Sequence, residues 1–193
     1  AASQLADGNW TFSGKKAADS WPETGVDYSK LGPAGAREVG LSARNAQAVL
    51  EAALLSADAD LRNAGLKALA AMRRFSVPRA AQVWEVPVHT PDILASARAA
   101  DAFLTGYRLT GDPRCLRDAV YWARTGLPFV YMWHEEELPA MQGATIPVFG
   151  ATSYVLSWFA VAVQWNGLAY SNVLYDLAEL DSSYPWERIA DNI

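Results

Sequence analysis

Cysteine and histidine are nearly missing from this chain: Cys115 stands alone, and His89 and His134 are the two imidazoles in 193 residues. A single thiol excludes an intramolecular disulfide framework, so the fold must be held by its core, though it does not decide the compartment. Charge of one sign is lacking too. Sixteen Lys and Arg stand against 21 Asp and Glu, a net charge of −5, which argues against a nucleic-acid binder, whose basic stripe must displace counterions from phosphates. The close basic residues (Arg73 with Arg74, Arg114 with Arg117) read as ordinary helix surface. No apolar run reaches the roughly 18 residues of a membrane span, so no membrane partner is expected. The N-terminus lacks a basic-then-apolar leader pattern. Ala1-Ala2-Ser3 reads equally as a mature end after signal removal or as a cut from a longer chain. Asn9-Trp10-Thr11 fits a glycosylation sequon, a pattern that also arises by chance.

Apolar residues are plentiful, at 51% of the chain, with eight Trp, eight Tyr and six Phe. That suffices for one domain, or for part of a larger one. Residues 1–40 are rich in Gly, Ser, Asp, Pro and Trp without a sustained period. They read as an irregular lead-in whose Trp10, Phe12 and Trp21 pack onto a helical-hairpin domain spanning 41–193. Its first hairpin, about 41–75, joins a helix over Ser42–Leu55 to one over Leu61–Phe75 across the polar break 56–60. The second, about 91–125, starts at Thr90-Pro91-Asp92, with Thr90 as expected cap, Pro91 in the first turn and Asp92 complementing the dipole. It turns at Thr110-Gly111-Asp112-Pro113, where Asp112 caps the returning helix. Leu61-Arg62-Asn63-Ala64 and Leu116-Arg117-Asp118-Ala119 match at a spacing of 55, the mark of stacked repeats. A third hairpin, about 163–193, pairs Gln164–Leu180 with a helix beginning at Trp186. Between hairpins two and three, the β-branched and aromatic stretch near 144–160 admits a short β-hairpin, while Tyr154–Val163 also fits a helix.

Successive connections in an up-and-down helical array alternate between its two ends. The short turns (56–60, 110–113, 181–185) then share one end and the long connections (76–91, 126–163) the other. This places Trp84, Glu85, His89, Asp92, Trp133, His134, Glu135 and Gln164 on one face, where histidine and carboxylates are the residue types suited to proton transfer near neutral pH. Trp84, Trp133 and Trp165 offer aromatic faces for the C–H surface of a sugar, with carboxylates and amides for its hydroxyls. Each residue also has a plainer reading. Glu85 is either a general acid raised by its apolar neighbours or a solvated loop carboxylate. Asp92 is either a ligand or a helix-start acid, the tryptophans either platforms or core, and Glu135, Glu136 and Glu137 a solvated acidic run. No spacing matches a zinc or calcium motif, so neither metal nor cofactor is expected. Cys115, in a helix's first turn, reads as a small structural residue.

The hairpin repeat, Tyr107-Arg108-Leu109-Thr110-Gly111-Asp112-Pro113, Tyr121-Trp122-Ala123-Arg124-Thr125-Gly126 and the Trp- and carboxylate-bearing loops resemble the (α/α) toroid enzymes. These include the six-hairpin glycoside hydrolases and heparinase-like polysaccharide lyases. The resemblance covers roughly 41–193. It implies a mainly α fold of consecutive antiparallel hairpins, an incomplete toroid with three hairpins where the family has about twice as many. It further implies a saccharide ligand and a secreted or periplasmic setting, with the ring completed by a missing remainder or by a second copy of the chain. Under a hydrolase, Glu85 with Glu135, Glu136 or Asp92 supplies the two carboxyls. Under a lyase, His89 and His134, with Tyr131 or Tyr170, supply the base. The acidic charge disfavours an anionic uronate polymer and favours hydrolysis. The alternative is a non-catalytic helical-repeat module binding a glycan or protein on the same face.

Overall fold

The computed structural model describes residues 3–14, 31–84, 86–133, 136–137, 142–149 and 164–193. Among these residues three antiparallel helical hairpins make up the frame: α1 (Val39–Ser56) with α2 (Ala59–Met72), α3 (Ile93–Thr110) with α4 (Pro113–Gly126), and α5 (Gln164–Ala178) with α6 (Trp186–Asn192). The fold is mainly α, as the sequence pattern implies. Each short turn is encoded locally. The Asp58 side chain accepts from the backbone N–H groups of Asp60 and Leu61 at the start of α2. Asp112 accepts from Arg114 N–H with Pro113 in the first turn of α4, and Gly111 closes α3 at φ 68°. Such caps satisfy donors that a helix end otherwise leaves free. Ala57 performs the closing role after α1 with φ 55°, a left-handed conformation that strains a residue carrying a Cβ.

The first helices of the hairpins, α1, α3 and α5, lie side by side, and α2, α4 and α6 back them. This two-layer arrangement puts α3 at the centre. It is buried on almost every side, from Ile93 and Leu94 through Phe103 to Gly106, and its many alanines let the neighbouring helices approach closely. The largest enclosed side chains are Trp122, Trp186, Tyr170, Phe103, Phe129 and Leu50. Thus Trp122 and Trp186 are core, with Trp10 of the lead-in packed against the same cluster. Phe12 and Leu31 form a smaller cluster with Ala80 and Val88 under the first long connection. Trp21 lies outside the described residues. Asn9 of the sequon is 2% exposed, and its side chain bonds to Asp7 and Ser42, so the folded surface does not present it.

Two expectations are corrected. The cap of α3 is Asp92, not Thr90: Asp92 is extended (φ −143°, ψ 147°) and accepts from Ala95 N–H, and the helix begins at Ile93. Pro91 is drawn instead into a bridge with Arg79. The described part of the expected β-hairpin, 144–149, forms no strand; Val130 pairs with Thr145 and Asp92 with Val148 through isolated bridges. Pro147 has no N–H to extend a ladder, and its carbonyl accepts from Ile93 N–H and from Gln82 Nε2, each at 3.1 Å. The remainder of 144–160, and the helical alternative at 154–163, fall outside the described residues. These bonds, with those between Tyr131 and Ala144 or Gly143, knit the long connections together at one end of the helices.

Candidate functional site

At that end the chain buries a carboxyl. Asp92 is fully enclosed. Its Oδ1 accepts from Ala95 N–H at 2.7 Å and its Oδ2 from Ala81 N–H at 3.0 Å. Burial pushes this carboxyl up to about 7, against the opposing effect of the Ala81, Ala95 and Gln82 hydrogen bonds and of the Arg98 charge. Loss of solvation thus outweighs three donors and a nearby cation. Arg98 is itself held low, mainly by burial and then by Arg44, and donates to Ala81 O at 3.3 Å.

Gln82 links Asp92 to the other long connection. Its amide donates to Pro147 O and its Oε1 accepts from Asn166 Nδ2 at 3.0 Å. Asn166 is completely buried in the first turn of α5, and its Oδ1 has no hydrogen-bond partner among the described residues. Beside Asn166, Trp165 is 48% exposed, and its ring lies 5.8 Å from that of Trp84, tilted by 36°. A buried amide–carboxyl network and a partly open indole pair therefore share one end of α3 and α5.

The sequence-selected residues separate into groups. Trp84 and Trp165 meet, and Asp92 reaches Asn166 through Gln82. Tyr131 and Trp133 form a different pair, with centroids 6.1 Å apart at 84° and Trp133 54% exposed. His89 turns to Glu38, with Nδ1 2.7 Å from Oε1. Glu136 and Glu137 are exposed. Glu85, His134 and Glu135 lie outside the described residues, as does the side chain of Gln164, whose backbone opens α5. No group of three or more metal-ligating side chains occurs among the described residues.

Gln82, Asn166, Arg98 and Glu38 escaped the sequence reading. Gln82 alone left a usable signal, as a lone amide in Ala80-Ala81-Gln82-Val83-Trp84. Asp101, further along α3, is a second buried carboxyl, pushed up to about 6 by burial and then by the Glu51 and Asp176 carboxylates, and bonded to the Gln47 amide.

No family model matches the chain, and no curated protein matches it. Solved structures do. One is an unsaturated glucuronyl hydrolase carrying an aspartate-to-asparagine substitution, with the saccharide dGlcA-Glc-Rha-Glc, at TM-score 0.58 and 18% identity. Another is the unsaturated glucuronyl hydrolase from Bacillus sp. GL1, responsible for the degradation of glycosaminoglycan, at TM-score 0.57 and 17% identity. Each alignment covers 83% of this chain and 46% of the other. The fold is thereby defined: the chain has the scaffold of part of an (α/α) toroid. It spans about half the length of the enzymes it resembles.

Proposed function

We propose that the long-connection end of the hairpins binds a saccharide and takes part in hydrolysing its glycosidic bond by acid–base chemistry. The observation that carries this reading is Asp92, a buried carboxyl pushed up to about 7 and tied to the end that bears the Trp84–Trp165 pair. A carboxyl titrating near neutrality is able to donate a proton to a leaving oxygen. Glycoside hydrolysis ordinarily pairs such an acid with a second carboxyl or another base, and Glu85 and Glu135 are the carboxyl candidates. Trp84 and Trp165 supply apolar faces for the sugar, with Tyr131 and Trp133 as a further aromatic pair along the same end. The saccharide carried by one structural neighbour supports the ligand class.

A second reading is favoured by the enclosure of Asp92 and by the alignment over less than half of the neighbouring chains. In it the end is a non-catalytic glycan- or protein-binding surface, and Asp92 is a structural cap. Trp165, Leu168 and Tyr175 leave an exposed apolar stripe along α5, which supports a further helix pair or a second copy as a packing partner. The test is incubation of the protein and of Asp92→Asn with a panel of neutral and unsaturated-uronyl oligosaccharides, read by mass spectrometry. Hydrolysis adds one water to the products, whereas elimination adds none. Turnover by the parent, lost in Asp92→Asn, is the expected result. Binding without turnover leaves the module reading, and absence of both ends the saccharide reading.

A further inference from the structure

Glu38 occupies the N-cap position of α1, yet its side chain makes no cap hydrogen bond there. It is buried and turned to the first long connection, where Oε1 lies 2.7 Å from His89 Nδ1 and 3.6 Å from Arg79 Nη1. The surroundings are braced. Gly40 N–H donates to Arg79 O at 2.8 Å, and Arg79 is bridged to Pro91, two residues beyond His89. His89 itself is 60% exposed, and its Nε2 has no protein partner among the described residues. A carboxylate on one imidazole nitrogen fixes the neutral tautomer, leaving the lone pair on the other. It also stabilises the cation formed when that lone pair takes a proton.

We propose that Glu38 and His89 form a proton-transfer dyad on the loop-bearing end, with His89 Nε2 as general base toward a water or hydroxyl group and Glu38 as its positioning residue. The identity of that hydroxyl as water attacking a saccharide, or as a sugar hydroxyl, rests on the function proposed above. In the step, the Nε2 lone pair takes the proton, the O–H bonding electrons stay on oxygen, and the imidazolium charge is met by the Glu38 carboxylate. Nothing is oxidised or reduced. A strap that merely ties the lead-in to the connection would use the same contact but would not make the exposed nitrogen matter.

The first test is long-range proton–nitrogen correlation NMR of the full chain at neutral pH, with His134→Asn separating the two imidazoles. His89 is expected in the Nδ1–H form. Glu38→Ala should return it to the Nε2–H form, and Glu38→Gln, which keeps an acceptor, should hold it. An Nε2–H signal in the parent protein overturns the dyad. On a saccharide that the protein turns over, His89→Gln should lower kcat roughly a hundredfold or more with KM little changed. An unchanged kcat refutes the base role while leaving the saccharide reading intact. If no saccharide is turned over, that reading falls, and the tautomer result alone decides the dyad.

Discussion

Raising the pH from 4 to 8 should destabilise this protein, and Asp92 should account for a large part of the loss. Its carboxyl moves from an ordinary value of 3.8 to about 7 on folding, so between those values the folded state holds a proton that the unfolded state has released. Stability therefore falls as pH rises through that window and levels off above about 7. At about 1.4 kcal/mol per pH unit, the loss from Asp92 is on the order of 4 kcal/mol, a large fraction of a typical domain's stability. Asp101, pushed up to about 6, adds a second fall that ends sooner. The carboxyls of Asp7 and Asp112, held low chiefly by hydrogen bonds to Asn9 and Arg114 respectively, act in the opposite sense and only below the ordinary carboxyl range. The assay is urea unfolding of the parent and of Asp92→Asn at half-unit pH intervals. The parent should keep losing stability between pH 6 and 7, while Asp92→Asn loses only the part due to Asp101 and is flatter above 6. The histidines are common to both proteins and cancel in the difference. Parallel curves would show that Asp92 does not titrate in this window, removing the physical basis for its proposed acid role.

Further outcomes follow from local geometry. Ala57→Gly should stabilise the protein by about 0.5–1 kcal/mol, because the residue sits at φ 55°, where glycine carries no Cβ penalty; thermal unfolding reads the gain. Gly40→Ala should destabilise it severely, since a Cβ there would lie 2.5 Å from Arg79 O and from Ala81 N, both backbone atoms. Chemical denaturation should place that cost well above the usual ±0.5 kcal/mol of surface changes. Phe103→Ala, in the centre of the core, should cost about 3–5 kcal/mol in the same assay. Trp165→Ala should leave the melting temperature nearly unchanged while weakening saccharide binding by about tenfold, as measured by calorimetry; undiminished binding would remove the platform role.

The sequence by itself determined the hairpins. Asp58, Gly111, Asp112 and Pro113 write the short turns through backbone rules that act within a few residues, and the helical spacing of small and apolar side chains writes the stripes that pack α1, α3 and α5 together. It also determined that the long connections share an end, because that follows from alternation alone. What gathers there was less legible. Asp92 was readable as a helix-start acid, but its enclosure depends on Pro147 and Val148 arriving from more than fifty residues away. Without that enclosure its carboxyl would titrate as an ordinary one. Gln82 and Asn166 are ordinary amides until the fold brings them within 3.0 Å, and Glu38 looks like any helix-start acid until His89 lies against it. Trp84 and Trp165 become a pair, and Trp133 a member of another, through the paths of the connections. Local caps and periods are settled by neighbours in the chain; burial, and the proton affinities it sets, is settled by whatever the tertiary structure places alongside.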